Sequence, residues 1–136
     1  MAIRVVQLGT RRHRGEGLRL GTVRHLPRGV RKERYAADDW FDIWLPNLAP
    51  SAALVRLAKM HVLDESGWNR FVVRYRAEMK RPEASHVLDL VAALSHVTNL
   101  SVGCYCQEAR VCHRSVLLEL LREQGATIAT SSGRRA

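Results

Sequence analysis

Lysine is nearly absent from this chain: 3 residues against 19 arginines in 136. Long apolar runs are missing too. No stretch approaches the about 18 consecutive apolar residues of a membrane span, so no membrane partner is expected. The N-terminal "MAIRVVQLGTRRHRG" has too short an apolar stretch, and no cleavage site, for a signal peptide. A cytoplasmic location is the expectation, with thiols kept reduced. Cysteine is scarce as well. There are 3, an odd number that speaks against a disulfide framework. No Walker loop, dinucleotide fingerprint, nucleophile elbow or zinc-protease helix occurs. No cofactor and no resident metal are therefore expected.

What is present is basic and ordinarily apolar. The net charge is +9, with 46% hydrophobic and 26% charged residues, a soluble globular composition. The length suits one domain, drawn at 1–130, with "SSGRRA" (131–136) as a flexible basic tail. Nine bases and two acids lie between Arg11 and Arg34. Such a field attracts phosphates, nucleic acid or an acidic partner. It equally describes a solvated face.

Residues 2–8 alternate and are β-branched, which predicts a strand, and "LRLGTVRHL" (18–26) predicts a second. "VRKERYAADDW" suits one or two helical turns, and "FDIWL" a short extended piece. Ser51 is placed to cap a helix over "AALVRLAKM". Trp68, Phe71, Val72, Tyr75 and Met79 form one apolar stripe of a helix over 66–80, ended by Pro82. Val87, Leu88, Val91, Leu94 and Val97 predict another. "LSVGCYC" (100–106) reads as a strand, "HRSVLLELLREQ" as a helix closed by Gly125, and "ATIAT" as a last short strand. Strands alternating with helices give an α/β fold: a single compact three-layer domain, its mixed, mostly parallel sheet flanked by helices. The two close N-terminal strands suggest an antiparallel edge.

All three cysteines fall in "GCYCQEARVCHRS" (103–115). On a strand, Cys104 and Cys106 share a face and Tyr105 takes the other. Cys112 stands where the next helix begins, after the five-residue loop "QEARV". This is the carboxyl edge of the sheet, where α/β domains bind ligands. Four chemistries compete there. Zinc has enough ligands by count, but the spacing departs from paired sites. Cys106 and Cys112 could pair transiently. A helix N-terminus, with free N–H groups and positive partial charge, could activate Cys112 as nucleophile or seat a phosphate or carboxylate. His113 would then serve as acid or base and Arg114 as charge support. Simple packing is the fourth, and Cys104 fits it best.

Four ordered segments resemble one family. They are "PRGVRKERY" (27–35), Trp40 with "LAPS" (48–51), "WNRFVVRYRAEM" (68–79) and "LSVGCYCQEARVCHRSVLLELL" (100–121). Together they are similar to the YeaO-like small bacterial proteins, domain of unknown function four-eight-eight. The resemblance implies an α/β domain whose strand–loop–helix element ends in Cys-His-Arg, here Cys112, His113 and Arg114. It assigns no reaction. Where members often carry aspartate and tryptophan before the Pro-Arg-Gly turn, Val23 and Leu26 stand here.

The leading expectation is a pocket for a small anionic ligand, with thiol chemistry as an extension. Cys112 and His113 are its candidate catalytic groups. Arg28, Cys106, Arg114, Ser115 and Arg24 are its candidate ligand-binding groups. The alternative is a nucleic-acid-binding module using 11–34 without catalysis. Trp40, Trp44 and Trp68 are base-stacking candidates, although packing is their commoner use.

Overall fold

A computed structural model describes residues 1–60, 64–106 and 112–129. Four strands form one sheet: β1 (Ile3–Gln7), β2 (Leu18–Gly21), β3 (Ile43–Trp44) and β4 (Leu100–Cys104), in the order β1-β4-β2-β3. Every pairing is parallel. The α/β class therefore holds, while the expected antiparallel edge is corrected. β1 and β2 are close in sequence but never pair, because β4 inserts between them. Its five residues are all buried, as suits the centre of a parallel sheet.

Four helices follow: α1 (Ala52–Met60), α2 (Glu65–Glu78), α3 (Pro82–Leu94) and α4 (His113–Glu123). Ser51 Oγ accepts the Leu54 N–H at 3.2 Å, as its capping position predicts. Asp64 caps α2 by accepting from Gly67 N at 2.7 Å. α3 starts at Pro82, before its apolar stripe, because a proline costs nothing in a first turn. Gly125 takes φ +90. Ala126 N then reaches Leu121 O and Gly125 N reaches Arg122 O, each at 3.0 Å, which satisfies the last carbonyls of α4. In place of a final strand, Ile128 makes an isolated parallel bridge to Ile3. The "QEARV" loop and the 131–136 tail lie outside the described residues.

The helices bury one side of the sheet. Ile3, Leu20, Leu100 and Val102 pack there with Leu54, Phe71, Tyr75, Leu88, Val91 and Leu117. On the other side Val6, Leu8, Val23 and Phe41 pack with Tyr35, Trp40 and Tyr105. A Cβ on Gly21 would lie 2.4 Å from the Phe41 ring, so the strand has room for that ring only without a side chain. Gly21→Ala is expected to cost about 1–3 kcal/mol through overpacking. Chemical denaturation measures this, and a cost near zero would show the layer to be loose.

The same side holds a buried ion pair. Arg19, at 0% exposure, donates from Nε to Glu16 Oε2 at 2.6 Å and from Nη2 to Oε1 at 3.0 Å. Its Nη1 reaches the carbonyls of Thr10 at 2.9 Å and Asp39 at 2.7 Å. Ser101 Oγ on β4 donates to Glu16 at 2.7 Å. Burial alone would raise the Glu16 pKa, but the donors from Arg19, Ser101 and the His13 amide outweigh it and hold the carboxyl at about 2.

Candidate functional site

β4 ends at Cys104, so Cys106 lies two residues past the sheet and is exposed. Cys112 is the N-cap residue of α4, with extended backbone at φ -119 and ψ 151. Strand end and helix start thus meet, and the three sulfurs lie within 4.8 Å of one another. Cys104 and Cys112 are buried, with Sγ atoms 2.6 Å apart. The Cys106 amide donates to Cys104 Sγ at 3.4 Å. Tyr105 takes the opposite direction, as alternation predicts. Its hydroxyl donates to His25 O at 2.8 Å and its ring meets Trp40 edge-on at 5.9 Å.

The next two residues strap the sheet. His113, 8% exposed, donates from Nε2 to Thr22 O at 2.7 Å, just past the end of β2. Because that carbonyl can only accept, Nδ1 is left without a proton, 3.7 Å from Cys112 Sγ. Arg114, 3% exposed, donates from Nη1 to Val6 O in β1 at 2.7 Å and from Nη2 to Cys106 O at 2.6 Å. The first turn of α4 therefore ties β4 to a neighbour on each side and pins the Cys106 backbone. Among the described residues, Arg114 Nε is the buried side-chain nitrogen or oxygen without a hydrogen-bond partner. Ser115 Oγ donates to Cys112 O at 2.9 Å.

These surroundings sort the ionisable groups. Thiol donors from Cys104 and Cys112 hold the Cys106 pKa far below the ordinary thiol value, with Arg114 as the fixed cation nearby. Cys104 moves the opposite way, raised by its bonding to Cys106 and Cys112 and by burial. Bonding to Cys104 would lower Cys112, but its bond to Cys106, together with burial, leaves it raised. Burial pulls His113 down to about 4, so the imidazole is neutral at pH 7. The open sulfur of the three is Cys106.

A family model described as the active DUF488-N3 subclade matches residues 3–125. The chain belongs to the DUF488 family. No curated protein and no solved structure matches it. In this DUF488 protein the Cys-His-Arg triplet serves the packing of α4 on the sheet, and the cluster it builds points a third cysteine at solvent.

The remaining candidates sit apart from the sulfurs. Arg24 donates to the carbonyls of Pro50 at 3.0 Å, Pro46 at 3.1 Å and Ala49 at 3.3 Å, holding the turn before α1. Arg28 is exposed in its turn. Among the described residues no hydrogen bond or ion pair joins it to Arg114. Of the nine bases in 11–34, Arg19 is buried with Glu16 and Arg24 is spent on carbonyls. Arg12 grips Asp42 with both Nη atoms, at 2.8 and 3.0 Å. The tryptophans pack: Trp68 stacks on Phe71 at 5.3 Å, and Trp44 Nε1 donates to Val23 O at 2.8 Å. A 510 Å³ cavity is lined in part by Arg24, Glu78, Arg81 and Glu83, and no cysteine is among its lining residues. No described helix is long and apolar enough to cross a membrane.

The sequence alone left Cys104 to packing and put the nucleophile at Cys112. The Cys-x-Cys spacing was the available signal for three converging sulfurs. Which sulfur is open depends on where β4 stops.

Proposed function

We propose that this DUF488 protein carries a thiol-dependent centre whose nucleophile is Cys106, acting on an electrophilic substrate that bears a carboxylate or phosphate. The observation that carries it is the contrast within the cluster: one exposed sulfur within 4.8 Å of two buried ones. This moves the nucleophilic role from Cys112, which is 3% exposed, to its neighbour. Arg114 becomes a positioning residue that fixes the Cys106 carbonyl and lends positive charge. His113 does not shuttle protons near neutral pH in this scheme, because its pKa of about 4 keeps it neutral there. The anionic part of the substrate is supported by the +9 charge of the chain. The subclade's description as active agrees with a working site.

Nucleic-acid binding through 11–34 has less support, since Arg12, Arg19 and Arg24 are engaged within the fold.

Alkylation across pH tests the proposal. A free thiol reacts in step with its ionisation near pH about 8.5. Cys106, mapped by mass spectrometry after brief iodoacetamide treatment, is expected to react at a nearly constant rate from acidic to neutral pH. Cys104 and Cys112 should stay unmodified. A Cys106 rate that climbs only towards pH about 8.5 would remove the nucleophile.

A further inference from the structure

Cys104 and Cys112 are left without work by a nucleophile at Cys106, yet both are buried and their sulfurs lie against each other. Their Sγ separation of 2.6 Å is short of ordinary sulfur contact and close to the about 2.05 Å of a disulfide. Closing the bond needs a shift of only a fraction of an ångström. Both sulfurs lie within 4.8 Å of Cys106 Sγ. An exposed thiolate and a buried, nearly bonded thiol pair are the two parts of a dithiol reductant.

Resting on the Cys106 reading above, we infer that the cluster reduces small carboxylate-bearing disulfides, with Cys106 as the attacking sulfur and Cys104–Cys112 as the resting place of the oxidising equivalents. The Cys106 thiolate attacks one sulfur of the substrate RS–SR. A Cys106–SR bond forms, the S–S bond breaks, and the first RS⁻ leaves with the electron pair. Cys112, giving up its proton to solvent, attacks Cys106 Sγ and expels the second RS⁻. Cys104 loses its proton in turn and attacks Cys112 Sγ, which returns Cys106 as thiolate and leaves Cys104 bonded to Cys112. In sum one disulfide and two protein thiols become two small thiols and one protein disulfide. Thiol–disulfide exchange supplies every intermediate, and Cys104 and Cys112 already lie side by side for the last step. The charge complementarity is with the basic chain as a whole, at +9, which favours a substrate carrying carboxylates.

Glutathione disulfide is the probe. The reduced full-length protein is mixed with it, quenched with an alkylating agent and mapped after trypsin, which can cut at Arg110 between the two halves of the cluster. The expected result is two glutathione thiols released per chain, a Cys104–Cys112 link and alkylated Cys106. Cys106→Ser should slow release on the order of tenfold or more. Cys112→Ser should stop as a mixed disulfide at Cys106, with one thiol released. If that variant fails to fold, the wild-type link map decides alone. A wild-type protein that halts as the Cys106 mixed disulfide, or whose final link contains Cys106, overturns the inference. So does a purified protein holding one zinc per chain on these sulfurs. If alkylation shows Cys106 reactive at low pH while the link never forms, this inference alone fails. If Cys106 is unreactive, the nucleophile fails first.

Discussion

Arg19→Met is expected to cost about 3–5 kcal/mol, the penalty for leaving one partner of a buried ion pair uncompensated. A domain of this size has about 5–15 kcal/mol to lose, so the variant should give up a large part of its stability and unfold at a clearly lower denaturant concentration. Four side-chain hydrogen bonds vanish together, two to Glu16 and two to the carbonyls of Thr10 and Asp39. Glu16, 3% exposed, keeps only the donors from Ser101 and His13. The pH dependence separates this cause from simple loss of packing. In the native protein Glu16 is held at about 2 against an ordinary 4.5. Its contribution is complete above pH 4.5 and fades as pH falls towards 2. Without Arg19 the buried carboxyl is raised instead, so the variant gains from protonation as pH falls. The gap between the two proteins should therefore narrow in acid. Urea denaturation at neutral and acidic pH measures both. A constant gap would mean the charge on Glu16 is not the cause. Arg19→Met combined with Glu16→Leu should recover much of the loss, since an apolar pair of similar bulk can replace a buried salt bridge.

Arg114→Met is expected to lower stability by about 2–4 kcal/mol and to blunt Cys106 in the same stroke. Two carbonyls, Val6 and Cys106, lose their guanidinium donors, and a buried acceptor left unpaired costs about 1–3 kcal/mol. The sulfur effect has a different origin: the nearby fixed cation is gone, so the thiolate is less favoured. The alkylation profile of Cys106 should move towards higher pH by about a unit. Arg114→Lys splits the two. It keeps a charge but not the planar fork that spans both carbonyls. The lysine variant should recover more of the alkylation profile than of the stability. Equal recovery of both, or an unmoved profile in the methionine variant, would show that Arg114 acts on the sulfur through packing alone.

Much of the frame was legible from local signals. The Ser51 cap, the 66–80 stripe, the turn at Gly125 and the short 41–45 extension each depend on neighbours within a few residues, and each appears. Sheet order was not legible, because the strand that separates β1 from β2 arrives some eighty positions later in the chain. The charge count misled for the same reason. Arg19 looked like part of a basic face until pairing brought Ser101 beside Glu16 and folded the 39–42 segment over it. At the site, the strand–helix junction and the convergence of cysteines could be read. The division of labour among them could not. Cys106 is open where β4 has already stopped at Cys104, and that end point is set by pairing with distant strands.

The parallel order of the strands also dictates when reactivity is born. A ribosome has to release nearly the whole chain before β4 can slot between two strands already made, and only then does α4 fasten down. Until that moment the three cysteines are commonplace thiols on a loose polymer. Afterwards, on the proposal made above, one of them becomes a fast-reacting anion. Labelling speed at a single sulfur should thus serve as a clock for the last stage of assembly, and non-local topologies of this kind assemble slowly.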